Sequence, residues 1–134
     1  MEIREYTVYG EYEIRHLYSS VGWIAYTNDM DALRKGFENS LLVLAAYEDG
    51  ELIGLLRAVG DGYTVVFIQD ILVIPEKQRQ GVGTALVKAA LERFPGVRQI
   101  ELTTDDKPET AAFYKSLGFF EFSEIGCRGF MKGV

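Results

Sequence analysis

Gly81 and Gly83 follow a polar loop, Glu76-Lys77-Gln78-Arg79-Gln80, which itself follows an apolar run ending in Ile71-Leu72-Val73-Ile74-Pro75. A strand, a short loop and a glycine pair at the start of a helix together build an anion site. The first backbone N–H groups of a helix have no internal partner, and the helix dipole adds partial positive charge there. Glycine at 81 and 83 removes the Cβ atoms that would hold a phosphate away from those amides. Lys77 and Arg79 add long-range attraction. Two common phosphate loops do not fit. A P-loop needs four residues between its glycines and then Lys-Ser/Thr, whereas Gly83 is followed by Thr84-Ala85; a dinucleotide loop needs a third glycine where Leu86 stands. A Gly-x-Gly pair is also compatible with a tight turn that binds nothing.

Asp70 is the second candidate, a carboxylate inside an otherwise apolar strand, where a buried charge is costly without a partner or a purpose. Two readings stay open: a proton acceptor, or an Asp that bonds neighbouring backbone or pairs with Arg57. Val21-Gly22-Trp23-Ile24-Ala25-Tyr26-Thr27 is an aromatic-rich connection, an unusual place for a Trp that only links two helices. His16 falls on a predicted helix surface. Cys127 has no neighbouring motif to activate it, so no acyl-cysteine route is expected.

The elements that would position these residues follow from periodicity. Glu2 to Val8 reads as a first strand, and Glu11–Ser20 and Asp31–Asn39 as helices with Ile14, Leu17 and Tyr18, then Leu33 and Phe37, at helical spacing. Leu41–Tyr47 and Leu52–Val59 read as strands joined by a tight Asp49-Gly50 hairpin. Tyr63–Ile74 is so continuously apolar that a central strand covered on both faces is expected, stopped by Pro75. A helix from Gly83 to Phe94, a strand from Val97 to Thr103 and a helix from Glu109 to Leu117 ended by Gly118 come next. Phe119–Met131 reads as one or two strands broken at Gly126. The order is β-α-α-β-β-β-α-β-α-β, an α/β fold with a mixed sheet in a single domain over residues 1–134.

Composition narrows the function classes. The 134 residues are 48% hydrophobic and 25% charged, with eight Tyr, eight Phe and one Trp, enough for a real core and unlike disorder. Lys and Arg number 14 against 20 Asp and Glu, a net charge of −6, so the footprint of nucleic-acid binding is missing. One cysteine excludes an internal disulfide and a Cys-based zinc site, and no metal is expected. Leu41 to Tyr47, the longest apolar run, is too short to cross a bilayer, and Met1-Glu2-Ile3-Arg4-Glu5 has no signal-peptide character. A cytoplasmic protein with a small-molecule partner is expected, without nucleic acid or membrane.

Gln78-x-x-Gly81-x-Gly83 after an apolar strand resembles the Gln/Arg-x-x-Gly-x-Gly/Ala motif of the GNAT superfamily of N-acetyltransferases. Ala111-Ala112-Phe113-Tyr114-Lys115-Ser116-Leu117-Gly118-Phe119 resembles that family's second motif, Ala-x-x-Phe/Leu-Tyr-x-x-x-Gly-Phe. The order of elements agrees, so the resemblance spans nearly the whole chain. Tyr18-Ser19-Ser20-Val21-Gly22-Trp23, Asn39-Ser40-Leu41 and Gln69-Asp70-Ile71-Leu72-Val73-Ile74-Pro75 are similar to a small bacterial branch, itself loosely similar to plant serotonin N-acetyltransferases. Many relatives carry an Asn before the second-motif helix to hold the cofactor's pantetheine arm; here Thr104-Asp105-Asp106-Lys107-Pro108 stands instead.

The resemblance implies a GNAT-like fold and acetyl-CoA as co-substrate. Its diphosphate would lie over the amides of Gln80, Gly81, Val82, Gly83 and Thr84, flanked by Gln78 and Arg79. Its pantetheine arm would pair with backbone of Leu72, Val73 and Ile74, with the thioester near Asp70 and Ile71. From Ile74 back to Asp70 is roughly 13 Å of strand. Phe113 and Tyr114 would complete the cofactor contacts. Tyr114 takes the family's position for the proton donor to the departing thiolate, or is a core tyrosine; Asp70 or a water chain would take the proton of the amine. Tyr18, Trp23 and Tyr26, with Asp70, would form the acceptor wall, or cap the sheet. The implied activity is direct acetyl transfer to a primary amine of a small molecule in a ternary complex. The alternatives are a protein or peptide acceptor, or a CoA-binding sensor without catalysis. Homodimers are common among such folds.

Overall fold

The computed structural model describes residues 1–133, in two compact units, Met1–Thr103 and a second that begins at Thr104. The first holds a five-stranded sheet in the order β1-β2-β3-β4-β5, formed by β1 (Glu2–Glu5), β2 (Leu42–Glu48), β3 (Glu51–Gly60), β4 (Val65–Val73) and β5 (Gln99–Leu102). Neighbours from β1 to β4 are antiparallel and β4 pairs with β5 in parallel, so the sheet is mixed as expected. The β2–β3 turn places Asp49 at φ +51° and Gly50 at φ +77°. Two successive positive φ values are what a two-residue hairpin loop requires.

Between β1 and β2 the chain forms α1 (Glu11–Ser20), a four-residue turn of helix α2 (Ile24–Thr27) and α3 (Met30–Glu38). Glu11 and Glu13 sit in the first turn of α1, where negative charge suits the dipole, and Ile14, Leu17 and Tyr18 form its buried face. The Asp29 side chain caps α3 by accepting from Ala32 N at 3.1 Å, and Met30, Leu33 and Phe37 are buried along it. Helix α4 (Val82–Arg93) buries Val82, Leu86, Val87 and Ala90.

Gly54 on β3 decides how closely α4 approaches. A Cβ built there would stand 3.0 Å from Val82 Cγ1 and 3.3 Å from Leu86 Cδ1, so only glycine lets the first turn of α4 rest on the sheet. Arg57, three residues along β3, points to the opposite face, where its Nη1 lies 3.2 Å from the Cβ position of Gly36 on α3. Helices therefore cover both faces of β3, and every residue from Leu52 to Ala58 is buried.

That cover was expected on β4. Instead Gln69 of β4 is exposed and Phe67, Ile71 and Val73 are only partly covered, because the helical layers centre on β3. A second correction concerns Phe119–Met131, where no strand forms among the described residues. In the second unit, α5 (Pro108–Ser116) is followed by a 3₁₀ turn, Phe122–Ile125. Glu121 and Glu124 cap it reciprocally and Gly126 ends it at φ +77°. These local bonds satisfy backbone groups that a ladder would otherwise take, and Phe120, Ile125, Phe130 and Met131 stay exposed without a shared buried face.

Candidate active site

Strand β4 changes partners halfway along. It pairs with β5 only from Val65↔Gln99 to Ile68↔Leu102, and β5 ends there. Pairing with β3 continues to Gly54↔Val73, and the Ile74 N–H bonds Ile53 O at 2.9 Å. From Gln69 onward the far edge of β4 is left without a neighbouring strand in this unit. Peptide groups alternate in direction along a strand, so Leu72 and Ile74 turn toward β3 while the N–H and C=O of Ile71 and Val73 point to the free edge. This corrects the expectation that backbone groups of Leu72 and Ile74 offer themselves to a ligand; Val73 and Ile71 do.

The β3–β4 ladder also contains a bulge. Arg57 pairs with Asp70 and Ala58 with Ile68, leaving Gln69 as the extra residue. Arg57 and Ala58 are adjacent and face opposite sides, so Asp70 and Ile68, two apart, do as well. The bulge thus turns Asp70 away from the face carrying α4, toward α1 and α2. There its Oδ2 accepts from Arg57 Nε at 2.7 Å and Tyr18 Oη at 2.9 Å, and its Oδ1 accepts from Tyr26 Oη at 2.6 Å. Asp70 is 2% exposed and Arg57 6%. A buried ion pair with its oxygens taken by three donors is a satisfied structural element. The pairing with Arg57 is therefore present.

Tyr18 is completely buried, and burial followed by the Asp70 charge holds its phenol far above the usual range. Tyr18 and Asp70 were expected on an acceptor wall; both lie beneath it, their surfaces covered. Trp23 and Tyr26, half-buried, form its accessible part, with ring centroids 6.2 Å apart. Gln69, the bulge residue, donates to Tyr26 Oη at 3.2 Å, a partnership that no sequence pattern signals.

Beyond Pro75 the loop is tied down at several points. Gln78 Nε2 donates to Val73 O and Gln80 Nε2 to Glu76 O, each at 3.0 Å. Lys77 pairs with Glu48, so its charge is already matched, while Arg79 is exposed. Arg79 lies at φ +63° and Gly81 at φ +86°. A non-glycine residue in that region is strained by about 1–2 kcal/mol. The first helical bond of α4 is Ala85 N to Gly81 O, and no side chain caps the helix. The amides of Val82, Gly83 and Thr84 are thus without helical acceptors, and a Cβ at Gly81 would meet nothing within 4 Å. The space beside Gly81 is open. Among the described residues no cluster of His, Cys, Asp or Glu could hold a metal ion.

In the second unit, Tyr114 is buried on α5, with Phe113 and Phe119 edge-on to it at centroid distances of 4.9 and 5.8 Å. Burial, with Asp105 adding to it, pushes its phenol up to about 12.

The model of the acetyltransferase (GNAT) family matches residues 8–119. The chain belongs to that family. A GNAT-family acetyltransferase from Streptococcus pneumoniae TIGR4 superposes with a TM-score of 0.90 at 36% identity, covering 99% of this chain and 97% of the other. The protein described as uncharacterized N-acetyltransferase ycf52 of Pyropia yezoensis is 26% identical over 114 residues, 82% of this chain and 64% of its own. The chain spans less than two thirds of the length of the first curated relatives it matches. An aminoglycoside acetyltransferase from an uncultured soil metagenomic sample, solved in complex with sisomicin, shares this GNAT fold at a TM-score of 0.74 and 17% identity. No described helix is long and apolar enough to cross a membrane.

Proposed function

We propose that the chain is an N-acetyltransferase that takes the acetyl group of acetyl-CoA to a primary amine of a small molecule, in a ternary complex in the cytoplasm. One observation carries the reading. The free β4 edge at Ile71 and Val73 leads, past Pro75, to the uncapped amides at the start of α4. A ligand that joins an amide-bearing arm to a diphosphate matches that sequence of donors and acceptors. Coenzyme A is such a ligand, and bound here it would supply the acetyl group as an activated thioester.

The chain's residues then divide the work. Ile71 and Val73 bind the arm, while Gly81, Val82, Gly83 and Thr84 bind the diphosphate, with Arg79 alongside. Tyr114 carries a proton on Oη for the leaving sulfur, and a phenol pushed up to about 12 remains protonated at neutral pH. Asp70, engaged by three donors, holds Tyr26 in place, and water accepts the proton of the ammonium. Trp23 and Tyr26 present the wall against which the body of the amine packs. Family membership and the fold shared with the sisomicin-bound neighbour support a small-molecule acceptor.

Two measurements test the reading. Coenzyme A at 100 times its Kd should stabilise the protein by about 2.7 kcal/mol in a thermal shift. Release of coenzyme A should then be followed across simple amines, polyamines, aminoglycosides, arylalkylamines and peptides. No shift with millimolar coenzyme A sinks the proposal, and turnover with peptides alone moves the acceptor to a protein.

A further inference from the structure

One acceptor on the free edge of β4 is already engaged by the protein itself. The Val73 carbonyl points away from β3, because the N–H of the same peptide unit, that of Ile74, bonds Ile53 O. It accepts from the side-chain amide of Gln78 at 3.0 Å. The matching bond from Gln80 folds the loop back on its own Glu76 and touches no strand. Gln78 alone of the two reaches the edge of the sheet.

The geometry points to Gln78 as an internal stand-in for the cofactor's arm: in the free protein its carboxamide occupies the Val73 carbonyl, and it must let go before the arm can pair along β4. The inference rests on the cofactor reading above and goes beyond it, because it makes Gln78 a competitor of the arm and not a contact of the diphosphate. The chemistry of the exchange is matched. A primary carboxamide and the arm's secondary amides are the same type of donor, so one N–H···O bond replaces another. Release of Gln78 does not dismantle the turn. The loop is still held by Lys77 on Glu48 and by the backbone bond from Gln78 N to Pro75 O. Affinity for the arm is then reduced by the fraction of time the carbonyl is free.

Substitution Gln78→Met keeps the length and flexibility of the side chain and removes its donor, and Gln78→Ala removes the reach altogether. Both are compared with wild type by calorimetric titration of coenzyme A and of ADP, which has the diphosphate but no pantetheine arm. Gln78 is exposed, so both variants are expected to fold. Each should bind coenzyme A about three- to tenfold more tightly than wild type, the effect of freeing one exposed hydrogen-bond acceptor, with ADP unchanged. Equal or weaker coenzyme A binding in both variants overturns the inference. A parallel change for coenzyme A and ADP also overturns it, since Gln78 would then shape the diphosphate loop. A wild-type protein that binds no coenzyme A overturns the cofactor reading and this inference together, whereas wild-type binding without tightening removes this inference alone.

Discussion

Arg57 and Asp70 face each other across β3 and β4, and their side chains meet at 2.7 Å beside the one residue, Gln69, that the ladder skips. The ion pair is buried, yet it is continuous with the half-exposed Tyr26, so a core element reaches the surface through one hydroxyl. Removing one partner leaves a buried charge alone. Asp70→Asn should lower stability by about 3 kcal/mol, and a double variant Arg57→Met with Asp70→Leu, which removes the lone charge but leaves the buried Tyr18 hydroxyl without its acceptor, should recover part of the loss in chemical denaturation. At a temperature where Asp70→Asn is folded, its pH–rate limb should stay at the wild-type position. A limb that disappears makes Asp70 the base.

Gly54 couples packing to the loop. In Gly54→Ala the new methyl meets Val82 Cγ1 at 3.0 Å and backbone at Leu72 O at 3.3 Å, so the first turn of α4 must lift. A loss of about 1–3 kcal/mol is expected, together with a raised KM for acetyl-CoA at nearly constant kcat. An unaltered KM in a destabilised variant would separate α4 docking from cofactor binding.

Tyr114→Phe isolates one hydroxyl. Under the proposed mechanism kcat falls about a hundredfold while coenzyme A affinity is kept. The phenol is pushed up to about 12, so the wild-type rate should show no descending limb from this group between pH 8 and 10. An undiminished kcat in the Phe variant returns Tyr114 to a packing role.

Asp61 anchors the turn into β4. Its carboxylate accepts from Tyr63 N at 2.8 Å, Thr64 N at 2.7 Å, Val65 N at 3.1 Å and Thr64 Oγ1 at 2.6 Å. The Thr64 hydroxyl and then these backbone donors hold it well below the usual carboxylate range. Because the folded value is depressed, the stabilisation is complete above the unfolded value near 3.8 and fades as pH falls through the folded one. Asp61→Ala should therefore have a lower Tm than wild type by a constant margin above about pH 5, narrowing in stronger acid. A margin that grows on acidification contradicts this assignment.

Much of this is legible in the amino-acid sequence. Glu11–Ser20 reads as a helix to the residue, because Ile14, Leu17 and Tyr18 share one face and a polar stretch bounds them. The glycine loop reads correctly as a strand-to-helix turn, because glycine announces positive φ. What stayed hidden depends on pairing partners. Whether Leu72 or Val73 offers its backbone is a matter of parity against β3. Whether Asp70 sits above or below the sheet is fixed by a bulge at Gln69 that leaves no compositional trace. Phe119–Met131 misleads for another reason: its aromatic residues favour a strand, but Glu121 and Glu124 close a local turn first.

The skipped residue at Gln69 has a consequence for sequence change. Surface loops absorb length variation, and β4 could absorb the loss of Gln69 too: Ile68 and Asp70 would become neighbours, still opposite Ala58 and Arg57 and on the faces they already occupy. What would go is the donor that Gln69 gives to Tyr26 Oη, while Ile71 and Val73 would keep their place on the open margin. Strict alternation through all three residues, with none skipped, would instead carry Asp70 onto the face of α4, so it is the kink in the ladder that keeps the carboxylate beside Arg57.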